Sequence, residues 1–353
     1  MCLAYQTPSR GSSPTSAVIF TLGLGDQHAP MAHNIDSMAY YGERPWHGLG
    51  TSIPERANAL EMIRAAGLDW EVVMRPIPNV GAHADKEARR CHLVRMPRNP
   101  EEIEVPLGVL SSRYLALQNK EAFDFFDPII GDNKAVFETA GSLGNGERIW
   151  VLANVPGEIR VIGDDICSKY LLLSNAHDGR GSVSVKFTPI RVVCQNTLML
   201  ALESGQKAHN IRHSKNMQDR LQNIQELLRL IWKTFEKAEE LFQLLAKVPV
   251  NAERFDTYLE AVYPRSEDQR KAKKRPERWD RVAQLFEVGD SPDLRPSHTL
   301  WGAYNSVTRY EDYRHANEGG RDRRLNRIWF GQGADLKLHA LLQADALRQQ
   351  WLN

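Results

Sequence analysis

Nine apolar residues, Met217, Leu221, Ile224, Leu228, Ile231, Phe235, Ala238, Phe242 and Leu245, follow one another at spacings that alternate between four and three. Charged residues fill the positions between them, so the segment carries an a/d heptad over four repeats. A helix returns to the same face at this interval and a strand does not, which predicts one long helix over residues 215–246. Its apolar seam has to be covered. A second subunit could do this as a coiled coil. So could later helical stretches near Trp301 to Tyr313 and Leu336 to Trp351, and short connections between neighbouring helices favour that intramolecular packing.

Upstream the period changes to two. In residues 182–193, Val183, Val185 and Phe187 alternate with Ser184, Lys186 and Thr188. That is the pattern of a strand with one buried and one polar face, with Pro189 marking an edge or bulge. The turn Asn175-Ala176-His177-Asp178-Gly179-Arg180-Gly181 precedes it, and Asn196 or Thr197 is placed to cap a helix over 196–204. Earlier strands are predicted at 70–77, 90–95, 107–110, 136–140, 148–155 and 170–174. The Asn145-Gly146 pair makes a tight turn between two of them. Helices are predicted at 55–66, ending at Gly67, and at 121–130; residues 31–50 read as loop. The expected fold class is α+β: an antiparallel β-meander with a β-β-β-α core, then the long heptad helix and a helical C-terminal region. The expected division is a disordered extension at 1–30, with Met31 as an alternative start, an α+β core domain at 31–214, and a helical region at 215–353.

A net charge of +1 over 353 residues supplies no general attraction to nucleic acid, so such binding must rest on local patches. No apolar run approaches the roughly 20 residues of a membrane span. Cys2, Cys91, Cys167 and Cys194 form no CxxC pair and read as reduced thiols of a cytoplasmic protein. His209 and His213 are four apart but have no further ligand in HExxH or cysteine spacing, so no metal is assigned. The glycines of 141–146 lack the Lys-Ser/Thr of a phosphate loop and belong to a hairpin. Cys194 reads as inert core at a strand end. His177-Asp178 could be a base with its orienting carboxylate, or a pair making local turn hydrogen bonds. No Walker, kinase, deaminase or hydrolase signature is present, and neither a catalytic residue nor a cofactor is assigned.

Basic residues carry more information. Lys186 and Arg191 lie on the alternating segment, and Arg180, Lys207, Arg212, His213 and Lys215 flank it. Arg309, Arg314, Arg321, Arg323, Arg324 and Arg327 form a second group, interleaved with Tyr304, Tyr310, Tyr313 and Trp329 and diluted by Glu311, Asp312, Glu318 and Asp322. Residues 265–281 hold eight Lys/Arg against four Asp/Glu. Cations that neutralise phosphates beside aromatic rings that stack on unpaired bases are what single-strand binding requires.

Several stretches resemble the phage/plasmid-like protein family, a domain of unknown function found on bacteriophages, plasmids and integrated elements. They are MAHNIDSMAYYGERPWHGLGTSI, SNAHDGRGSVSVKFTPIRVVCQNTL with its sequel IRHSKN, TLWGAYNSVTRYEDY and WFGQGADLK, which together cover most of residues 31–342. The resemblance implies a mobile-element gene context and no established activity. The predicted order of strands at 148–155, 166–174 and 182–193 followed by the helix at 196–204 also resembles, at the level of topology, single-strand annealing recombinases of the Red-beta type. Those proteins oligomerise into rings or filaments and lay DNA along a basic groove; fold alone does not carry function. The resulting expectation is a non-enzymatic, homo-oligomeric protein of a mobile element that binds single-stranded DNA in recombination or replication. Arg180, Lys186, Arg191, Lys207, Arg212, His213 and Lys215 would contact the nucleic acid. Two alternatives stand beside it. One is a nucleic-acid or nucleotide-processing enzyme with a His177/Asp178/His213 site, and the other a protein-binding module that counters host defence through the heptad helix.

Overall fold

Strand β1 (Ile35–Tyr41) lies inside the central sheet, in a stretch whose sequence reads as loop. It pairs antiparallel with β6 (Val136–Leu143) on one side and parallel with β2 (Thr51–Ile53) on the other. Ile35, Met38, Ala39 and Tyr40 are all buried. A strand covered on both faces has no reason to alternate apolar with polar, and so it lacks the period-two signal. The computed structural model describes residues 35–42, 49–78, 89–124, 135–179, 183–191, 209–211, 224–265, 275–288, 298–314 and 324–352. The extension at 1–30 and the helix expected at 196–204 lie outside them.

The rest of the central sheet is the expected meander. Strands β6, β7 (Arg148–Ile162), β8 (Asp165–Ala176) and β9 (Val183–Phe187) are antiparallel neighbours in chain order. β10 (Ile190–Arg191) returns to β8, and β11 (His209–Ile211) closes the edge beyond β9. A second sheet holds β3 (Val72–Pro76), β4 (Arg90–Arg95) and β5 (Val105–Ser111), all antiparallel. The β6–β7 turn is the one the Asn-Gly pair predicts: Gly144 and Gly146 both adopt positive φ, at 68° and 105°.

Parity along the strands sorts the core into two layers. Ile149, Val151, Ala153 and Val155 of β7, with Leu171 and Leu173 of β8, join one large cluster. That cluster also contains residues of α1 (Ala59–Ala65), α2 (Asn119–Asp124), the small sheet and α3 (Ile224–Ala246). Trp150, Leu152, Tyr170 and Leu172 point to the opposite face and pack with Ile328 and Trp329. Helix α1 begins later than the predicted 55 because Asn58 caps it. The Asn58 side chain accepts from Glu61 N at 3.0 Å, and Glu61 Oε2 accepts from Asn58 N at 2.9 Å.

The described half of the heptad seam is covered from within the chain. Phe235, Ala238, Phe242 and Leu245 are buried. Phe235 meets Phe187 of β9 edge-on at 5.2 Å, and Phe242 lies 4.5 Å from Trp301. Here the a/d residues therefore pack on a sheet and its helices, and not in a coiled coil; residues 215–223 lie outside the described set. Helices α4 (Ala252–Val262), α5 (Glu277–Val288), α6 (Leu300–Arg309), α7 (Arg324–Trp329) and α8 (Gln332–Leu352) complete the C-terminal region, with a π-helical turn at Tyr310–Arg314. Sheet and helices share one continuous apolar cluster.

Gly141 on β6 shows how closely β1 approaches. A Cβ there would lie 2.4 Å from Ser37 O and 2.4 Å from the Trp150 ring. Because a backbone oxygen cannot swing aside, Gly141→Ala should cost about 1–3 kcal/mol, read as a lowered urea midpoint. A midpoint equal to that of the parent would contradict this packing.

Candidate functional site

Lys186 stands opposite Leu172 on the β8–β9 ladder, with Ser184 opposite Ser174. The polar face of this strand is largely covered, with Lys186 itself half-buried. Ser184 and Thr188 are buried, the Ser174 and Ser184 hydroxyls are 2.9 Å apart, and the end of α7 covers the face. Lys186 Nζ donates to Trp329 O at 3.0 Å and lies 5.5 Å from the Phe330 ring centre. Arg191 stands opposite Cys167, an odd number of residues along β8 from Leu172. The two basic positions thus have opposite parity on the sheet and do not belong to one face. Arg180, Lys207, Arg212, His213 and Lys215 lie outside the described residues.

The second basic group is also rearranged by packing. Tyr304 and Tyr310 are core residues, closed to a stacking base. Arg327 pairs with Glu311, donating to its carboxylate and, at 3.2 Å, to its carbonyl. The tyrosine hydroxyl of residue 263 donates to Glu311 Oε1 at 3.0 Å. Burial, then the Glu311 charge, pushes that phenol well above its ordinary range.

Arg148, which the sequence pattern does not single out, completes a cationic and aromatic group on the α7 side of the sheet. Its guanidinium lies 4.7 Å from the Phe330 ring centre. Trp329 packs edge-on against Trp150 at 6.1 Å and against Phe330 at 6.2 Å. Burial lowers the pKa of the Arg148 guanidinium, and the nearby Asp178 charge opposes that. The signal that could have found this group is the Trp329-Phe330 pair at the end of the basic helix α7. Only the fold shows that it lands beside Arg148 and Lys186.

Just beyond the C-terminal end of β8, His177 is fully buried. Its Nε2 lies 3.0 Å from Asn119 Oδ1 and 3.4 Å from Asn175 Nδ2. Asn119 Nδ2 donates to Leu68 O at 2.9 Å, which orients its amide with the oxygen toward the ring. The shorter contact, to an acceptor, assigns the proton to Nε2; Asn175 Nδ2, which donates to Leu117 O at 3.2 Å, is then a neighbour and not a second hydrogen bond to the ring. The ring also meets Trp70 edge-on at 5.4 Å, and Arg95 covers Trp70 at 4.9 Å. Asp178 is half-buried, and its charge acts on Tyr114, whose phenol is raised by burial first and by Asp178 second. β5 approaches so closely that a Cβ on Gly108 would lie 2.8 Å from Asp178 O. Among the described residues no group of three or more His, Cys, Asp or Glu is placed to hold a metal ion. No described helix is long and apolar enough to cross a membrane.

A family model described as a domain of unknown function (DUF932) matches residues 106–329, from within β5 to the last residue of α7. No curated protein and no solved structure matches the chain.

Proposed function

We propose that this chain, which belongs to the DUF932 family, is a single-stranded DNA-binding protein of a phage, plasmid or related mobile element, acting without chemistry of its own. The observation that carries this reading is the convergence of Arg148 and Lys186, from two strands of one sheet, on the single ring of Phe330. Cations set against aromatic rings are the elements from which sequence-independent single-strand sites are built. The antiparallel strands β7, β8 and β9 supply the β-β-β part of the order on which the annealing analogy rests, while the helix expected at 196–204 lies outside the described residues. In such a mechanism the cations hold phosphates, leave bases free to pair with a second strand, and act as part of a homo-oligomer.

The test is anisotropy of a labelled oligo(dT) across a salt series, with light scattering on the same samples. The expected affinity falls as salt rises, with a log–log slope of about −0.7 per phosphate neutralised. Arg148→Met combined with Lys186→Met should flatten that slope and keep the fold, since both stems are retained. No binding by the parent protein at low salt would end this reading.

A second reading is favoured by one observation. Asn175 Oδ1 and Trp70 Nε1, an acceptor and a donor beside the buried His177, have no hydrogen-bond partner among the described residues. That leaves unmatched polar capacity of the kind a nucleotide-handling site uses. Turnover of a nucleotide or nucleic acid by purified protein, lost in His177→Ala, would favour it over binding alone.

A further inference from the structure

We propose that Trp232, flanked by Lys169, is a stacking platform for an unpaired base at the β9 side of the sheet. This rests on the single-strand reading above and names a contact for it. Trp232 sits on α3 one residue beyond the heptad position Ile231, where the seam does not require an apolar side chain. It keeps 37% of its surface in solvent, whereas Trp70, Trp150, Trp279, Trp301 and Trp329 are all buried. Among the described residues no other tryptophan or phenylalanine is exposed.

Its surroundings match a nucleotide. Lys169 Nζ lies 5.8 Å from the Trp232 ring centre and 5.7 Å from that of Phe235. Phe235 tilts against Trp232 at 6.5 Å and meets Phe187 of β9 at 5.2 Å. A chain of rings thus anchors the exposed indole to the core. β9 in turn pairs with the edge strand β11, which Lys207 and Arg212 bracket in the sequence. The fully exposed residues that follow on α3 are all charged: Lys233, Glu236, Lys237 and Glu240. An exposed aromatic face with a cation at its rim and charged residues after it on the helix fits a base and its phosphate better than the apolar centre of a protein interface.

The test compares oligo(dT) with an abasic oligonucleotide of equal length and charge, using the parent chain, Trp232→Ala and Trp232→Phe. Trp232→Ala should weaken oligo(dT) binding about 5- to 150-fold, leave abasic binding and the melting temperature unchanged, and be largely rescued by Trp232→Phe. Four results would overturn the platform. If the parent binds DNA and Trp232→Ala matches it, or loses both probes equally, the platform is wrong while the single-strand reading stands. If Trp232→Ala alters sedimentation but not DNA binding, the indole is a protein contact. If the parent binds neither probe, the single-strand reading falls and the platform with it.

Discussion

Asp312→Ala is expected to destabilise the folded chain by about 3–5 kcal/mol at neutral pH, because it removes one partner of a fully buried ion pair. Lys337 Nζ donates to Asp312 Oδ1 at 2.7 Å, with side-chain exposures of 0% and 4%. The π-helical turn at Tyr310–Arg314 makes the pair geometrically available. Its wider turn aims Asp312 at α8 while the preceding Glu311 serves Arg327 and Tyr263. Burial lowers the pKa of the Lys337 ammonium, and Asp312 and then Glu311 resist that fall. The folded chain therefore sheds this proton at a lower pH than the unfolded chain does. Between the folded pKa and the ordinary 10.5 the unfolded state binds more protons, so stability rises with pH in that window. Losing Asp312 lowers the folded pKa further and extends the window downward. The deficit of the variant relative to the parent should consequently shrink as pH climbs toward 10. Urea melts at several pH values measure this, and adding Lys337→Met should restore most of the loss. A deficit independent of pH, or no rescue by Lys337→Met, would show that the pair is not held as described.

Phe242→Ala should cost about 3–5 kcal/mol and lower the stability of sheet and helices together. The side chain is fully buried, lies 4.5 Å from Trp301, and sits in the apolar cluster that runs from β6–β9 into the C-terminal helices. Trp301 in turn donates from Nε1 to Asp165 Oδ2 at 2.7 Å at the start of β8, so the same contact ties helix α6 to the sheet. Tryptophan fluorescence and far-UV circular dichroism should report coincident transitions in urea, shifted to the same lower midpoint in the variant. The shift should not depend on protein concentration, because this half of the seam is covered within one chain. A loss below about 1 kcal/mol would place Phe242 outside the core, contrary to its packing. A concentration-dependent midpoint would assign the seam to a subunit interface.

Most local elements can be read from the chain because each has a strong short-range cause. The alternation through Val185 and Phe187, the Asn145-Gly146 turn and the described half of the heptad, from Phe235 to Leu245, all survive in the structure. β1 escapes because it is buried on both faces, and helix α1 starts later than periodicity predicts because Asn58 makes a capping box with Glu61. The candidate sites are less legible. Lys186 looks solvated along its strand, yet a residue more than a hundred positions later, Trp329, accepts its hydrogen bond. Arg191 looks like its companion, yet stands at a ladder position of the other parity. His177 looks like half of a dyad with its neighbour Asp178, yet its ring nitrogen engages Asn119.

By itself the chain determined the α+β class, the antiparallel meander and the long helix, since apolar period and turn chemistry act between residues a few positions apart. Only the tertiary structure decided what covers each face: the α7 end on the polar side of β9, the sheet and α6 on the α3 seam, and the Asp312–Lys337 pair between the π turn and α8. Those contacts join residues far apart in sequence, where no local periodicity records which surface meets which. The charge or exposure of a side chain follows from that meeting.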